Sequence, residues 1–299
     1  MPRIAFFIAA TGVPANDNHE RLPRAFADGG WDVTLFAHNS IGLSPDGLDA
    51  IDMGGQRLSL EVFDRIWLLG FGPRESFLDR MQLLSTLDQR RFINPVDAYV
   101  YMHSKCHFTL RARHAEGVRQ PETFAAADPA RLLEVVDQGG EWIAKPTAAS
   151  YGRGVFRLSP NDPNRRAILD HLTEGATSYC IVQRYVEEAE HHEKRVLVAA
   201  NRIVGVYGKT LPSDDHRGNL AAGSQPCEAA LSTDESHLAG SVIEVLAESR
   251  IKFATIDIAH PYVLEVNVVN PGWLATYDAL TGADLAPDVV SALQCAPLA

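Results

Sequence analysis

At 299 residues, 46% hydrophobic and 22% charged, the chain is long enough for two or three packed units with real cores. Its formal net charge of −11 argues against a nucleic-acid or anionic-membrane surface as the main partner, while leaving room for a local basic pocket. Cys106, Cys180, Cys227 and Cys295 form no C-x-x-C pair, so neither a zinc site nor a disulfide framework is expected, and a reduced cytoplasm fits best. The opening "MPRIAFFIAATG" has an apolar run only from Ile4 to Ala10, followed by polar sequence. A first buried strand is the better reading than a signal peptide. No apolar run approaches the ~18 residues of a membrane span.

The first hundred residues alternate strand and helix signals. "RIAFFIA", "WDVTLFA" and "FDRIWLLGFG" read as strands, with helices over "HERLPRAFADGG" and "RESFLDRMQLLSTLDQR". That alternation predicts an open, mostly parallel sheet, and "RFINP" reads as a short strand stopped by Pro95. A second block, Val96 to Val186, holds the helix-like "AYVYMHSKCHFTLRARHAEG" and a helix near Pro129 to Gln138. It continues with the strand–loop–strand "EWIAKPTAASYGRGVFRL" and closes on the strand "SYCIVQRYV". The third block begins with "KRVLVAANRIVGVYGKT", a hairpin turning at "ANR". The small-residue loop "HRGNLAAGS", the helix "DESHLAGSVIEVLAESR" and the strands "KFATIDIA" and "YVLEVNVV" follow. There is no internal repeat.

Motifs that would announce common chemistries are missing. There is no G-x-x-x-x-G-K-[ST], G-x-S-x-G or H-E-x-x-H, and "GFGPRE" lacks the third glycine of a dinucleotide fingerprint. Dispersed polar groups remain. Glu265 and Asn267 lie two apart on one strand, so both leave the same face, and Asp257 sits on a neighbouring strand. Such an all-oxygen set suits Mg²⁺, although spacing alone favours ordinary strand-end polar residues. Lys145 ends a strand before a loop carrying Gly152 and Gly154, where backbone N–H groups can cradle phosphate oxygens; an exposed lysine on a plain hairpin is the alternative.

Taken in order, Lys105, Lys145, "QRYV", Arg195, "RGNLAAG" (217–223), Asp257, Glu265 and Asn267 resemble the ATP-grasp ligases, and within them the bacterial glutathione synthetases. "QRYVEEAEHHEKRVLV" and "LEVNVVNPG" extend the likeness, which covers the last two thirds of the chain well. The first third is matched only as a pattern of strands and helices. The resemblance implies an α/β chain whose ATP-grasp part is α+β. Its parts would be an N-terminal open parallel sheet domain over 1–95, an ATP-grasp small (lid) subdomain over 96–186 and a C-terminal subdomain over 187–299.

It also implies roles. Lys105 and Lys145 would bind the α- and β-phosphates of ATP, with Ser150, Gly152 and Gly154 in the phosphate loop. Gln183, Arg184, Tyr185 and Val186 would form the adenine-contacting linker, and Glu193 would hold the ribose hydroxyls. Arg195, Arg217 and Asn219 would hold the transferred phosphoryl group. Asp257, Glu265 and Asn267 would hold two Mg²⁺ ions, for which Mn²⁺ could substitute. The implied partners are a small-molecule carboxylate and an amine in a homo-oligomer, a dimer or tetramer, with no nucleic acid and no membrane.

The sequence departs from that family in three places. The loop "TAASYGRG" is closer to the S-x-G-x-G pattern of the ligases that add glutamate to a ribosomal protein. "VVNPGWLATY" stands where the synthetases often have Ser-Pro-Thr, and "LLGFGPRES", with Arg74, stands in place of an "RKDPP"-like stretch. These are the regions where donor and acceptor would be recognised. Ligation onto a protein or peptide tail, and a non-catalytic ATP-binding regulator, therefore stay open as alternatives.

Overall fold

The computed structural model describes residues 1–9, 17–102, 104–148, 153–210, 223–271 and 274–295. Its first sheet contains β1 (Arg3–Ile8), β2 (Asp32–Ser44), β3 (Gly47–Asp52), β4 (Arg57–Ser59) and β5 (Arg65–Leu68), in the order β4-β3-β2-β1-β5. Helices α1 (Asn18–Asp28) and α2 (Phe77–Leu84) flank it. The continuous apolar run of β1 is buried on both faces, as a central strand requires. Phe6 packs with Phe26 and Trp67 on one side, while Phe7 stacks on Phe36 on the other.

After α3 (Lys105–Arg111), a second sheet is built from β6 (Thr123–Ala126), β7 (Trp142–Pro146), β8 (Phe156–Leu158) and β9 (Cys180–Arg184), ordered β6-β9-β7-β8. Helices α4 (Pro129–Asp137) and α5 (Arg165–Thr173) contribute Leu132, Val136 and Leu169 to its core. Beyond the short α6 (Ala189–His192), the third sheet contains β10 (Glu193–Ala199), β11 (Arg202–Thr210), β12 (Gln225–Glu228), β13 (Phe253–Ala259) and β14 (Tyr262–Asn267). Its order is β12-β11-β10-β13-β14. Helix α7 (Thr233–Glu248) crosses between β12 and β13, and α8 (Leu274–Thr281) and α9 (Ala286–Cys295) complete the described chain. The α7 start is a capping box: Ser232 and Glu235 each accept the other's backbone N–H.

The hairpin expected at "ANR" is present. Ala200 and Asn201 both have positive φ, the conformation of a two-residue turn matched to strand twist. Other local expectations give way to side-chain chemistry. The long helix expected after Arg74 stops at Leu84, where the Ser85 and Thr86 hydroxyls donate to the Gln82 and Leu83 carbonyls. The helix expected over 98–117 divides into a π-helical turn at Ala98–Met102 and α3, with Ser104 extended before α3. "RFINP" makes one parallel bridge, Ile66 to Phe92, instead of a strand.

The first sheet is parallel in its centre, where β1 pairs with β2 and β5, but β2–β3 and β3–β4 are antiparallel. Neither β3 nor β4 carries a long apolar run, so local periodicity does not announce this two-strand extension.

The first and third sheets share a core. Phe6, Phe26 and Trp67 cluster with Leu197, Tyr207 and Phe253, with α9 packed beside them. Trp67 meets Phe253 edge-on, ring centres 5.1 Å apart. Asn94, only 1% exposed, fastens the same junction. Its Nδ2 donates to the Phe253 and Val268 carbonyls at 2.7 and 2.9 Å, and its Oδ1 accepts from the Lys252 and Phe253 amides, both at 2.9 Å.

Asn94→Ala strands these buried backbone groups and is expected to lower unfolding free energy by about 3 kcal/mol or more in equilibrium denaturation. Asn94→Asp, which cannot donate to the two carbonyls, should be comparably harmful. A loss below about 1 kcal/mol in both variants would remove Asn94 from this role.

Candidate functional site

The third sheet sets its polar groups in rows by register. Arg195 lies opposite Asp257, and Asp257 opposite Glu265, so three charged side chains cross β10, β13 and β14 on one face. Thr255 opposite Asn267 makes the next row, and on the other flank Lys209 lies opposite Glu193. The reverse face of β13 carries Ala254, Ile256 and Ile258, packed beneath Val242 and Leu246 of α7. That two-faced strand explains how Asp257 can be almost fully buried inside an apolar sequence.

The Arg195 guanidinium grips Asp257 with two parallel bonds, Nε to Oδ1 at 2.7 Å and Nη2 to Oδ2 at 2.6 Å. Lys209 Nζ donates to Glu193 and lies 3.4 Å from Asp257 Oδ1. Burial works to raise the Asp257 pKa, but Arg195 and Lys209 overcome it and hold the carboxyl at about 2. Burial likewise opposes the charge on Arg195, yet the neighbouring carboxylate raises its pKa well above the ordinary value. Glu193 is the softest member: burial pushes its pKa up against the pull of Lys209.

Two further lysines face this row. Lys105, the first residue of α3, lies 3.4 Å from Glu265, and its backbone amide donates to the Thr147 carbonyl at 3.1 Å. Helix α3 is thereby tied to the chain leaving β7. Lys145 Nζ donates to Gln183 Oε1 at 2.9 Å, and Gln183 Nε2 donates to Thr123 at 3.0 Å, crossing from β7 through β9 to β6. Burial lowers the Lys145 pKa, Glu265 opposes that, and Lys105 adds to it. A cleft between the second and third sheets is lined by Lys105, Lys145, Gln183, Thr123 and Glu265, with Ile181 as an apolar wall.

The structure thus brings together Lys105, Lys145, Gln183, Glu193, Arg195, Asp257 and Glu265, with Asn267 on the same face of β14 as Glu265. It places other expected residues differently. Arg184 points to the opposite side of β9 from Gln183: it lies 3.7 Å over the Trp142 ring and donates to the Gly139 carbonyl. The Tyr185 hydroxyl donates to Glu190 while Arg157 covers its ring. The amides of Arg184 and Tyr185 bond the Glu122 and Glu141 carbonyls. Val186 is buried, and Gly154 has the positive φ of a turn, where a Cβ would lie 3.1 Å from Pro146 Cγ. Ser150, Gly152, Arg217 and Asn219 lie outside the described residues.

Lys209 is the functional candidate that motif reading overlooked. It is 3% exposed and stands between two carboxylates. Its signal was present: once the hairpin turn is fixed at Ala200–Asn201, pairing places this lysine opposite Glu193.

The donor set fits a hard divalent cation, since Asp257, Glu265 and Asn267 offer only oxygen from adjacent strands. Asp257 already accepts from Arg195 at both oxygens, so a cation would share its remaining lone pairs. Among the described residues no cluster of three or more His, Cys, Asp or Glu is poised for a metal, and no helix is long and apolar enough to cross a membrane.

Comparison with known proteins places these features in context. The family model for the prokaryotic glutathione synthetase ATP-grasp domain matches residues 112–282. A glutathione synthetase from Gloeobacter violaceus is 31% identical over 170 residues, covering 57% of this chain and 52% of that protein. One from Nostoc is 26% identical over 235 residues, covering 78% and 71%. For the first, the match spans about half the relative's length. Among solved structures, D-cycloserine synthetase DcsG superposes with a TM-score of 0.71 at 18% identity, covering 97% of this chain and 98% of that one. The ATP-grasp ligase PsnB, complexed with a minimal precursor, gives 0.69 at 15% identity, covering 99% of each chain. The fold is ATP-grasp.

Asp257→Asn leaves Arg195 and Lys209 short of a buried partner and is expected to cost about 3 kcal/mol or more of stability at neutral pH. The depressed Asp257 pKa gives a stabilisation fully present above the unfolded value near ~4 and lost as pH falls towards about 2. Urea midpoints followed through that window should fall in the wild type, with this component missing in the variant. Parallel profiles would refute the assignment.

Proposed function

We propose that this chain, which belongs to the family of prokaryotic glutathione synthetase ATP-grasp domains, is an ATP-dependent ligase joining a carboxylate to an amine through an acyl phosphate. The observation that carries the reading is the row Arg195–Asp257–Glu265 across three strands, with Lys105 and Lys145 at the same cleft. A carboxylate is inert to amines at neutral pH because its leaving group would be oxide. Phosphorylation by ATP converts it to an acyl phosphate: the carboxylate oxygen bonds to the γ-phosphorus and ADP departs. The amine then displaces phosphate and loses a proton.

Catalysis of this kind rests on positioning and charge neutralisation, with no protein nucleophile. In the proposal Lys145 and Lys105 bind ATP phosphates. The Lys145 charge carries a burial penalty that a phosphate oxygen relieves. Arg195, held rigid by Asp257, faces the transferred group, and Lys209 supplies a second fixed positive charge there. Arg217 and Asn219 are assigned to the same group by family resemblance, as are Ser150, Gly152 and Gly154 to the phosphate loop. Glu193 is assigned to the ribose hydroxyls.

Gln183 lines the nucleotide end, and adenine recognition falls to backbone groups near Val186, since the Arg184 and Tyr185 side chains are engaged elsewhere. Family membership implies a divalent metal. We assign Mg²⁺, two ions with Mn²⁺ as a substitute, to Asp257, Glu265 and Asn267, where it would neutralise phosphate charge. The substrates are proposed to be small amino acids or peptides, in a cytoplasmic homo-oligomer. The three-part division at residues 95 and 186 belongs to the same proposal.

ADP release measured against a panel of carboxylates and amines, with mass spectrometry of products, tests the reading. The expected outcome is Mg²⁺-dependent release that requires both substrates, with Glu265→Gln reducing it about 10²-fold or more. Wild-type rates in that variant would remove Glu265 from the site. ATP binding without turnover would favour a regulator, and products only on peptide tails would favour the tail-ligase alternative. ATP affinity should also weaken as pH rises through the depressed Lys145 pKa, because the bound phosphate favours the ammonium form. Lys145→Met should flatten that dependence in calorimetric titrations.

A further inference from the structure

Outside the cleft row, a buried arginine on α2 and a buried histidine on β2 meet in a cluster that the proposed chemistry leaves unused. Arg80 on α2 is 5% exposed and His38 on β2 is 6% exposed. Of the five N–H donors of a guanidinium, the two on Nη2 bind the Phe71 and Pro73 carbonyls. The three on Nε and Nη1 have no acceptor among the described residues. Burial alone lowers the Arg80 pKa, with no carboxylate acting against it. The segment 10–16, which follows β1, contains no acidic residue either. A buried guanidinium with most donors idle and no counter-charge is costly, and an anionic ligand would remove that cost.

His38 supplies a complementary group. The parallel pairing of β1 with β2 ends at Ile8 and Ala37, and the β2–β3 register is irregular between Phe36 and Ile41, which re-aims residue 38. The imidazole hydrogen-bonds the Leu69 backbone, while Nε2 has no partner among the described residues. Burial and Arg80 push its pKa down to about 4, so at neutral pH Nε2 is an acceptor. Both side chains stand at the carboxyl ends of the parallel strands, where open α/β sheets receive ligands.

A roof of close-packed backbone covers them. Gly70 and Gly72 have positive φ, and a Cβ on Gly72 would lie 2.3 Å from Arg80 Nη1 and 2.5 Å from His38 Cβ. Only glycine lets the chain approach this closely. The same loop carries Arg74, whose Nη2 donates to the Ala148 carbonyl at 3.1 Å, three residues beyond Lys145. The roof loop is therefore tied to the chain leaving β7. Lifting this loop would break the Arg80 bonds to Phe71 and Pro73 and free the whole guanidinium.

We propose that Arg80 and His38, beneath the Gly70–Gly72 roof, seat the unreacting α-amino-carboxylate end of a substrate, its carboxylate on Arg80 and its amine on His38. The inference rests on the ligase reading, because a ligase whose substrate reacts through a side-chain or remote carboxylate must hold an α-amino-carboxylate end that it neither activates nor consumes.

The test is calorimetric binding to the full chain of the free L- and D-amino acids, their C-amides and glutathione, with ADP release measured in parallel. The expected result is that at least one free amino acid or glutathione binds, that amidation of an amino-acid ligand weakens it, and that Arg80→Gln loses about 10- to 100-fold in affinity. Arg80→Gln should also cease to distinguish acid from amide, with ATP affinity unchanged. Gly72→Ala, which crowds both side chains while keeping them, is the second variant should Arg80→Gln fold poorly, and the same loss of discrimination is expected. Absence of binding by every probe, or equal acid–amide discrimination in wild type and variants, overturns the seat. Arg80-dependent binding, with no ADP release from any carboxylate–amine pair of the panel, would leave the seat standing and refute the ligase reading.

Discussion

The site depends on one buried ion pair, the two-pronged grip of Arg195 on Asp257. Two opposite charges removed from water gain little net stability, and the gain here is orientation. With both prongs occupied, the guanidinium has one plane and one position, so its remaining donors are fixed before any ligand arrives. The same carboxylate lies 3.4 Å from the Lys209 ammonium, so one β13 residue holds two cations from two other strands. The buried charges are nearly balanced without substrate, and a ligand bringing several negative charges meets cations that are already aligned.

That arrangement requires a floor that does not yield. The third sheet is packed on both faces, by α7 on one side and by the first sheet's aromatic cluster on the other. Asn94 and the Trp67–Phe253 contact join the two sheets at the strand that bears Asp257. The opposite wall is held more lightly. The second sheet contributes Lys145 and Gln183 through side-chain bonds and reaches α3 through the Thr147 carbonyl. A rigid floor and a separately cored upper sheet suit a nucleotide that must enter and leave between them.

The first sheet lies outside the span the family model matches, and α2 beside it carries the one strongly buried guanidinium among the described residues with no carboxylate acting on it, Arg80. In the proposed function, most of the groups assigned to ATP fall within residues 112–282, the span the family model matches. Substrate identity is more at liberty to vary, and a glycine roof over Arg80 and His38 is a local way to vary it.

The sequence by itself determined the alternation of strands and helices, the β10–β11 turn and the pairing of Glu265 with Asn267 on one face, because each follows from local periodicity or left-handed turn residues. It also carried the order of charged residues on which the family resemblance rests. Only the tertiary structure decided which charges meet. Arg195 and Asp257 are 62 residues apart and share a row through strand register. Lys209 reads as an ordinary strand lysine until its cross-strand partners are in place. Arg184 and Tyr185 lie in a matched segment, yet strand alternation turns Arg184 away from Gln183 and a local acidic partner holds Tyr185. Arg80 and His38 carry no motif at all; their meeting follows from a strand irregularity and two glycines, where backbone approach is set by packing instead of by neighbours in the chain.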